Sequence, residues 1–347
     1  MDEILASHRA FWSGAAASPL VARLPARRWE PRPYPASGGR WFHDPTLLGP
    51  ADVDVDRLLG LDRPAAPLVC GDLLMPVGCV YPEAWMEALI GCPILASAYG
   101  TVARPAGVDL RTACRRFSVE AALRSPWLDV MDRVVLKARE CAKTERPIRQ
   151  LHQRGIVDML AAYLGEAQLC TAACDTPDLV GELGSRFAEL HVAVARRGLG
   201  LRPRWRGGCV SVWNVYAPGA LLDYQIDASS LFSAHLYEDV FAELDAQVLA
   251  DFPCNVVHLH ACGLHMLDAV LGMPAVRAVE INLDRETGVW RKERILDCCR
   301  RIQAASRGVI VNGLLSDGEL AEFRADLNPG RAAFWNWAED IRPQPAG

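Results

Sequence analysis

Val256-Val257-His258-Leu259-His260-Ala261-Cys262 is the stretch on which the reading of this chain turns. Side chains along a β-strand point alternately to its two faces. His258, His260 and Cys262 then share one face, and Val257, Leu259 and Ala261 share the other. Such a strand offers an apolar side to covering helices and two imidazoles with a thiol to a cavity. Placing those polar groups inside a protein is costly unless they find partners or are used.

The pattern recurs downstream. Ala278 to Asp284 reads A-V-E-I-N-L-D. Glu280, Asn282 and Asp284 fall on one side; Val279, Ile281 and Leu283 fall on the other. The apolar run Leu264 to Leu271 between the two reads as a short helix. A strand, helix and strand this close form a βαβ unit with parallel strands. His260, Cys262 and Glu280 can then converge.

Outward from this pair, strands are expected at Pro67–Asp72, Pro93–Ala98, Cys209–Tyr216, Leu222–Asp227 and Gly308–Asn312. Helices are expected over Met1–Ser13, Glu83–Ile90, Trp127–Ala142, Gly155–Leu164, Thr176–Arg197, Ser233–Leu249, Arg294–Ser306 and Asp317–Leu327. Leu128, Met131, Val134, Val135 and Ala138 form one apolar stripe of the third. Thr176 followed by Pro177 reads as an N-cap with proline at the first helical position. Strands alternating with helices indicate an α/β protein. The strand count is near eight, and polar residues recur at strand C-terminal ends: Asp72, Asp227, Cys262, Asp284 and Asn312. That is where a (β/α)8 TIM barrel carries its site. An open doubly wound sheet is the alternative, but it usually has a glycine-rich phosphate turn, and Gly207-Gly208 precede a strand rather than follow one. Residues 1–60 read as an N-terminal helix and irregular arm, with Trp29, Tyr34, Trp41 and Phe42 arguing against disorder. Residues 61–347 read as the barrel.

The totals narrow the function classes. The chain has 347 residues, 51% of them hydrophobic and 23% charged, enough for a large core. A net charge of −5 with no basic cluster argues against a nucleic-acid partner. No apolar run approaches a membrane span, and Met1 to Trp12 lacks the pattern of a signal peptide. The 12 cysteines are scattered without a C-x-x-C pair, which fits reduced, mostly buried thiols in a cytoplasmic protein.

Four segments carry a family resemblance: Gly155–Gly165 (GIVDMLAAYLG), Thr176–Val180 (TPDLV), Gln225–Ser233 (QIDASSLFS) and His258–Gly263 (HLHACG). Together they resemble the uroporphyrinogen decarboxylase superfamily over roughly residues 65 to 335. That superfamily also holds the methylcobalamin:coenzyme M methyltransferases and the catalytic domain of cobalamin-independent methionine synthase. The resemblance implies a (β/α)8 barrel with a cleft at the strand C-termini. Its methyltransferase branch implies a zinc ion held by a His-x-Cys pair, here His260 and Cys262, with Glu280 as a further ligand. Zinc keeps one position open in catalytic sites and can hold an incoming thiol as thiolate. The expected later cysteine is absent: Val311-Asn312-Gly313-Leu314 stands there. The decarboxylase branch implies an aspartate that orients a tetrapyrrole, for which Gly71-Asp72-Leu73-Leu74 is the similar loop. The arginine-rich N-terminal motif of that branch is not present.

The first expectation is therefore zinc-dependent methyl transfer to a thiol, from a corrinoid or similar donor. His260, Cys262 and Glu280 would be ligands, Asp72 and Asp227 catalytic groups, and Gln225, Asn312 and His258 substrate contacts. A corrinoid protein and a second copy of the chain are the partners considered. A metal-free decarboxylase using Asp72 and Asp227 is the alternative, and a non-catalytic corrinoid or tetrapyrrole binder the third. For His258 the competing explanation is a satisfied core histidine, and for Asp227 a helix cap.

Overall fold

Alternating apolar residues do organise the chain around a parallel sheet. The computed structural model describes residues 1–24, 33–60, 67–79, 84–98 and 100–337. Six strands make the sheet: β1 (Leu20–Leu24), β2 (Leu221–Gln225), β3 (Cys254–His260), β4 (Ala278–Asn282), β5 (Gly308–Gly313) and β6 (Ala332–Trp337). They hydrogen-bond in the order β1-β6-β5-β4-β3-β2, and every pairing is parallel. Helices connect β2 to β3, β3 to β4, β4 to β5 and β5 to β6, as parallel pairing requires.

The two faces bury different things. Val257, Leu259, Val279, Ile281, Val309, Val311 and Phe334 join the large core under the helices. Leu20, Leu221, Val256, Ala278, Ile310 and Ala333 form a second cluster on the opposite face. Helix α1 (Asp2–Ser13) closes one side of that second cluster with Phe11, which is fully buried. A Cβ at Gly308 would lie 2.6 Å from the Phe11 ring, so glycine at the start of β5 lets the helix seat. His8 of α1 is buried as well. The Tyr216 N–H donates to its Nδ1 at 2.9 Å, and its Nε2 donates to the Asp72 carbonyl at 2.7 Å. Both nitrogens are satisfied in the neutral ring, and burial holds its pKa down at about 4.

Three expected strands take another form. Val69–Cys70 pairs antiparallel with Leu73–Leu74, and Cys209–Val210 with Tyr216–Ala217. Ile94–Ser97 pairs antiparallel with both Thr46–Leu48 and Gly100–Ala103. Gly71 (φ 56°) and Asn214 (φ 67°) supply the left-handed turn conformation that folds the first two back. Strong β-formers there read as one strand, but the turn residues inside them divide them. Conversely, β1 joins the sheet from a stretch read as an appendage, and β6 from a stretch in which no strand was expected. Part of residues 1–60 is thus an edge strand of the main sheet. Among the described residues the parallel sheet has six strands, against an expectation near eight. Residues 25–32, with Trp29, and residues 80–83, where the Glu83–Ile90 helix was expected to begin, lie outside the described residues; Trp85–Leu89 is helical.

Extended chain also lies along the outer edges. The Gly155 N–H donates to the Gln225 carbonyl at 2.8 Å, and the Asp72 N–H to the Val21 carbonyl at 2.8 Å. Isolated parallel bridges link Arg154 to Gln225, Arg149 to Val210 and Val77 to Ile148. Among the described residues no helix is long and apolar enough to cross a membrane.

Candidate metal centre

Sheet register sets the site. Gln225, His258 and Glu280 are Cα partners across β2, β3 and β4. One row further along, His260, Asn282 and Asn312 are partners across β3, β4 and β5. In-register residues with side chains on one face necessarily meet. The imidazoles of His258 and His260 pack edge to face with centroids 4.6 Å apart, and Trp213 stacks on His258 at 5.6 Å.

Each imidazole has one nitrogen claimed by an acid. His258 Nδ1 bonds to the carboxylate of Glu280, which is fully buried. His260 Nδ1 bonds to Asp284 at 2.8–2.9 Å. Asp284 also accepts from the Ala261 N–H at 3.0 Å, and its backbone sits at φ 43°, the left-handed region that non-glycine residues seldom adopt. Both Nε2 atoms then face one oxygen: Asp227 Oδ1 lies 3.7 Å from His258 and 3.6 Å from His260. Gln225 donates to the other oxygen, Oδ2. Asp227, His258 and His260 each offer a ligand atom within 4.8 Å of the others.

The electrostatics follow. Burial alone would lower the pKa of His260, but its contacts with Asp227 and Asp284 raise it to about 11. Burial works against protonation of His258 too, and the charges of Glu280 and Asp227 overcome it and raise its pKa. Burial would raise Asp227, yet the two imidazoles and Arg154 bring it down to about 2. A half-buried carboxylate between two imidazoles is a place where a metal ion can replace protons.

The donor set suits such an ion. Two imidazole nitrogens and one carboxylate oxygen match the three-ligand catalytic zinc pattern, and also the two-histidine, one-carboxylate pattern of other divalent metals. Acids that hold Nδ1–H and so fix which nitrogen faces outward are the usual outer partners of metal-bound histidines.

The expected set His260, Cys262 and Glu280 does not assemble. β3 ends at His260, and Ala261 opens a 3-10 turn. Strand alternation stops there, and Cys262 is exposed. Glu280 is close to the centre, with its Oε2 on His258 Nδ1 rather than in the cluster of Asp227, His258 and His260. Asp227, which sequence reasoning placed as a catalytic group, stands where a ligand would, and so does His258. Gln225 touches Asp227, while Asn312 accepts from the Trp337 indole at 3.1 Å. Asp72 is exposed and held elsewhere: its carboxylate accepts from the Val21 N–H at 3.0 Å and its carbonyl from His8.

Sequence reasoning missed several neighbours. Arg154 lies 3.1 Å from the buried Glu87. Asp158 is buried and accepts from the Ala228 N–H at 2.6 Å. Burial raises the pKa of both acids. His152 contacts Gln225, and burial, reinforced by the charge of His258, lowers its pKa to about 4. The signal for Asp158 was present: it is the single charged residue in the helix Ile156–Leu164, I-V-D-M-L-A-A-Y-L. Glu87 is likewise the one acid in a helix, Trp85–Leu89, whose every residue is buried. Arg154, Asp158 and Asp227 line one cleft of 490 Å³, walled by Ala103, Ala161 and Ala162. Asp227, one of the candidate ligands, therefore borders a space that can admit a small molecule.

No family model matches the chain, and neither does any curated protein. Among solved structures the chain is similar to a methyltransferase from Methanosarcina mazei, at 10% identity over 98% of this chain and 94% of that one, with a TM-score of 0.63. At that identity the likeness is one of α/β fold: the two chains share an architecture over nearly their whole lengths.

Proposed function

We propose that the chain is a metal-dependent methyltransferase whose ion is held by Asp227, His258 and His260. One observation carries the proposal: two imidazoles, each with Nδ1 taken by an acid, turn Nε2 toward a single aspartate oxygen. Neutral packing histidines need no such company, as His8 demonstrates. Zinc fits the donors, and the resemblance to the uroporphyrinogen decarboxylase superfamily, with the shared fold, favours methyl transfer to a thiol. The edge bridges at Arg154, Arg149 and Val77 support a sheet closed into a (β/α)8-like barrel, with residues 61–347 as its main part.

A bound divalent ion would supply Lewis acidity, lowering the pKa of a thiol acceptor so that it attacks as thiolate. The chain's own groups set up that chemistry. Glu280 and Asp284 keep the Nδ1–H protons and so leave each Nε2 lone pair free. Gln225 orients Asp227 by donating to Oδ2. Trp213 covers His258 and keeps water from its face. The cleft admits the acceptor next to Asp227.

Elemental analysis of the purified full-length protein tests the reading, followed by chelation, reloading with zinc, and an assay of methyl transfer from methylcobalamin to small thiols. The expected result is a stoichiometric divalent ion, its loss in His260→Ala, and activity that disappears with chelation and returns with the ion. A protein that binds no divalent ion, or binds it equally well as His260→Ala and Asp227→Ala, overturns it.

A further inference from the structure

An exposed apolar side chain standing singly needs no explanation, but two of those in this chain belong to one row. Ile94–Ser97 lies between Thr46–Leu48 and Gly100–Ala103 in a three-stranded antiparallel sheet. Leu47, Leu95 and Val102 are Cα partners across it, so their side chains share one face. Leu48, Ile94 and Ala96, their neighbours along the strands, are buried and mark the opposite face as the core side. Leu47 is 65% exposed and Val102 54%, with Leu95 half-buried in the middle of the row. Three strands set the row's span at about 10 Å.

The row continues from the cleft. Val102 lines that 490 Å³ space, and so does Leu231, which is 41% exposed. Asp158 is buried and Asp227 half-buried on the same cleft. The space therefore reaches from a candidate ligand to an apolar rim, with Ala103, Ala161 and Ala162 among its walls. Width decides what can cover the row. The next outward positions along the strands are Ser97, Gly100 and, just beyond, Arg104, so the apolar band is one side chain wide. A stable protein partner needs about 800 Å² on each side, more than such a band offers. An extended alkyl chain matches it.

We infer that the thiol acceptor carries an aliphatic tail, which leaves the cleft past Val102 and Leu231 and lies along Leu95 and Leu47. The inference rests on Asp227, His258 and His260 as the metal ligands, since that centre fixes the sulfur end, and it names the substrate class of the same site. Covering the row removes from water both the tail and the exposed side chains beneath it. A short hydrophilic thiol would leave those side chains wet.

The test is calorimetric titration of the full-length protein with the primary alcohols 1-butanol, 1-hexanol and 1-octanol, in which a hydroxyl stands in for the thiol. Affinity is expected to rise with each added methylene, by at least about tenfold from butanol to octanol. The double variant Val102→Ser/Leu231→Ser should cut that rise to less than about threefold. Leu47→Ser, at the far end of the row, should weaken octanol about threefold and leave butanol unchanged. Leu136→Ser, at an exposed leucine on the helix Pro126–Ala142 that lines neither cleft nor row, should alter nothing. All four positions are exposed or partly so, where substitutions seldom disturb folding. The inference fails if affinity does not rise with chain length, or if the rise survives either the rim double variant or Leu47→Ser. Zinc content measured on the same samples separates the two ideas. Protein that holds zinc without preferring longer chains removes this inference alone; protein that prefers longer chains and never holds zinc removes the metal assignment alone.

Discussion

His8 and His260 answer burial in opposite ways. His8, packed under the sheet by α1, has two backbone partners and no carboxylate on either nitrogen, and its pKa falls to about 4. His260, at the end of β3, has carboxylates on both sides, and its pKa rises to about 11. Desolvation acts on both rings in the same direction. The difference lies in what the fold places against them. His8 is given neutral backbone partners, whereas His260 is given carboxylates that hold a proton on the ring.

The largest break in this contrast should come from the ligands. His260→Ala or Asp227→Ala is expected to abolish stoichiometric metal binding and lower methyl transfer by more than about 100-fold, while unfolding by denaturant stays cooperative. On the packing side, Phe11→Ala should cost about 3–5 kcal/mol of stability in chemical denaturation and leave metal affinity unchanged. If Phe11→Ala also releases the ion, the two regions are not independent. Glu280→Gln and Asp284→Asn should each weaken metal affinity about 10- to 100-fold, read by competition with a chelator; retention of wild-type affinity would mean that the acids serve packing only.

The pH dependence of the metal-free protein sharpens the same comparison. The folded pKa of His260 lies above its unfolded value, so its contribution is complete below pH ~6.5 and is lost as pH rises through about 11. The folded pKa of His8 lies below its unfolded value, so its contribution is complete above pH ~6.5 and is lost as pH falls through about 4. Thermal melts across this range should show His8→Gln flattening only the acid limb and His260→Gln only the alkaline limb. The smallest effect belongs to Cys262→Ser. That thiol is exposed and outside the ligand cluster, so zinc content should not change; a large loss would return Cys262 to the ligand set.

The sheet's middle was legible because period-two alternation is strong there. Val257, Leu259, Val279 and Ile281 went to one face, and His258, His260 and Glu280 to the other, as their spacing requires. One side of the sheet was not legible. Leu20–Leu24 and Ala332–Trp337 are identified as sheet strands by their pairing with each other and with β5. Within the site, the same alternation put Cys262 beside His260, yet it holds only while the strand lasts, and the strand stops at His260. Asp284 was visible at the end of its segment, but its role depends on a left-handed backbone that composition does not announce. Asp158 and Glu87 betrayed themselves as lone acids in apolar helices; Arg154 and His152 sit in irregular chain where no period singles them out.

The pairing of β1 with β6 has a consequence for assembly. Leu20 meets Ala333, so β1 must wait for a partner made about 300 residues later, and contacts of such sequence separation form slowly. Asp227, His258 and His260 emerge close together well before that partner. The candidate ligand residues are therefore synthesised before the last pairing of the sheet can form.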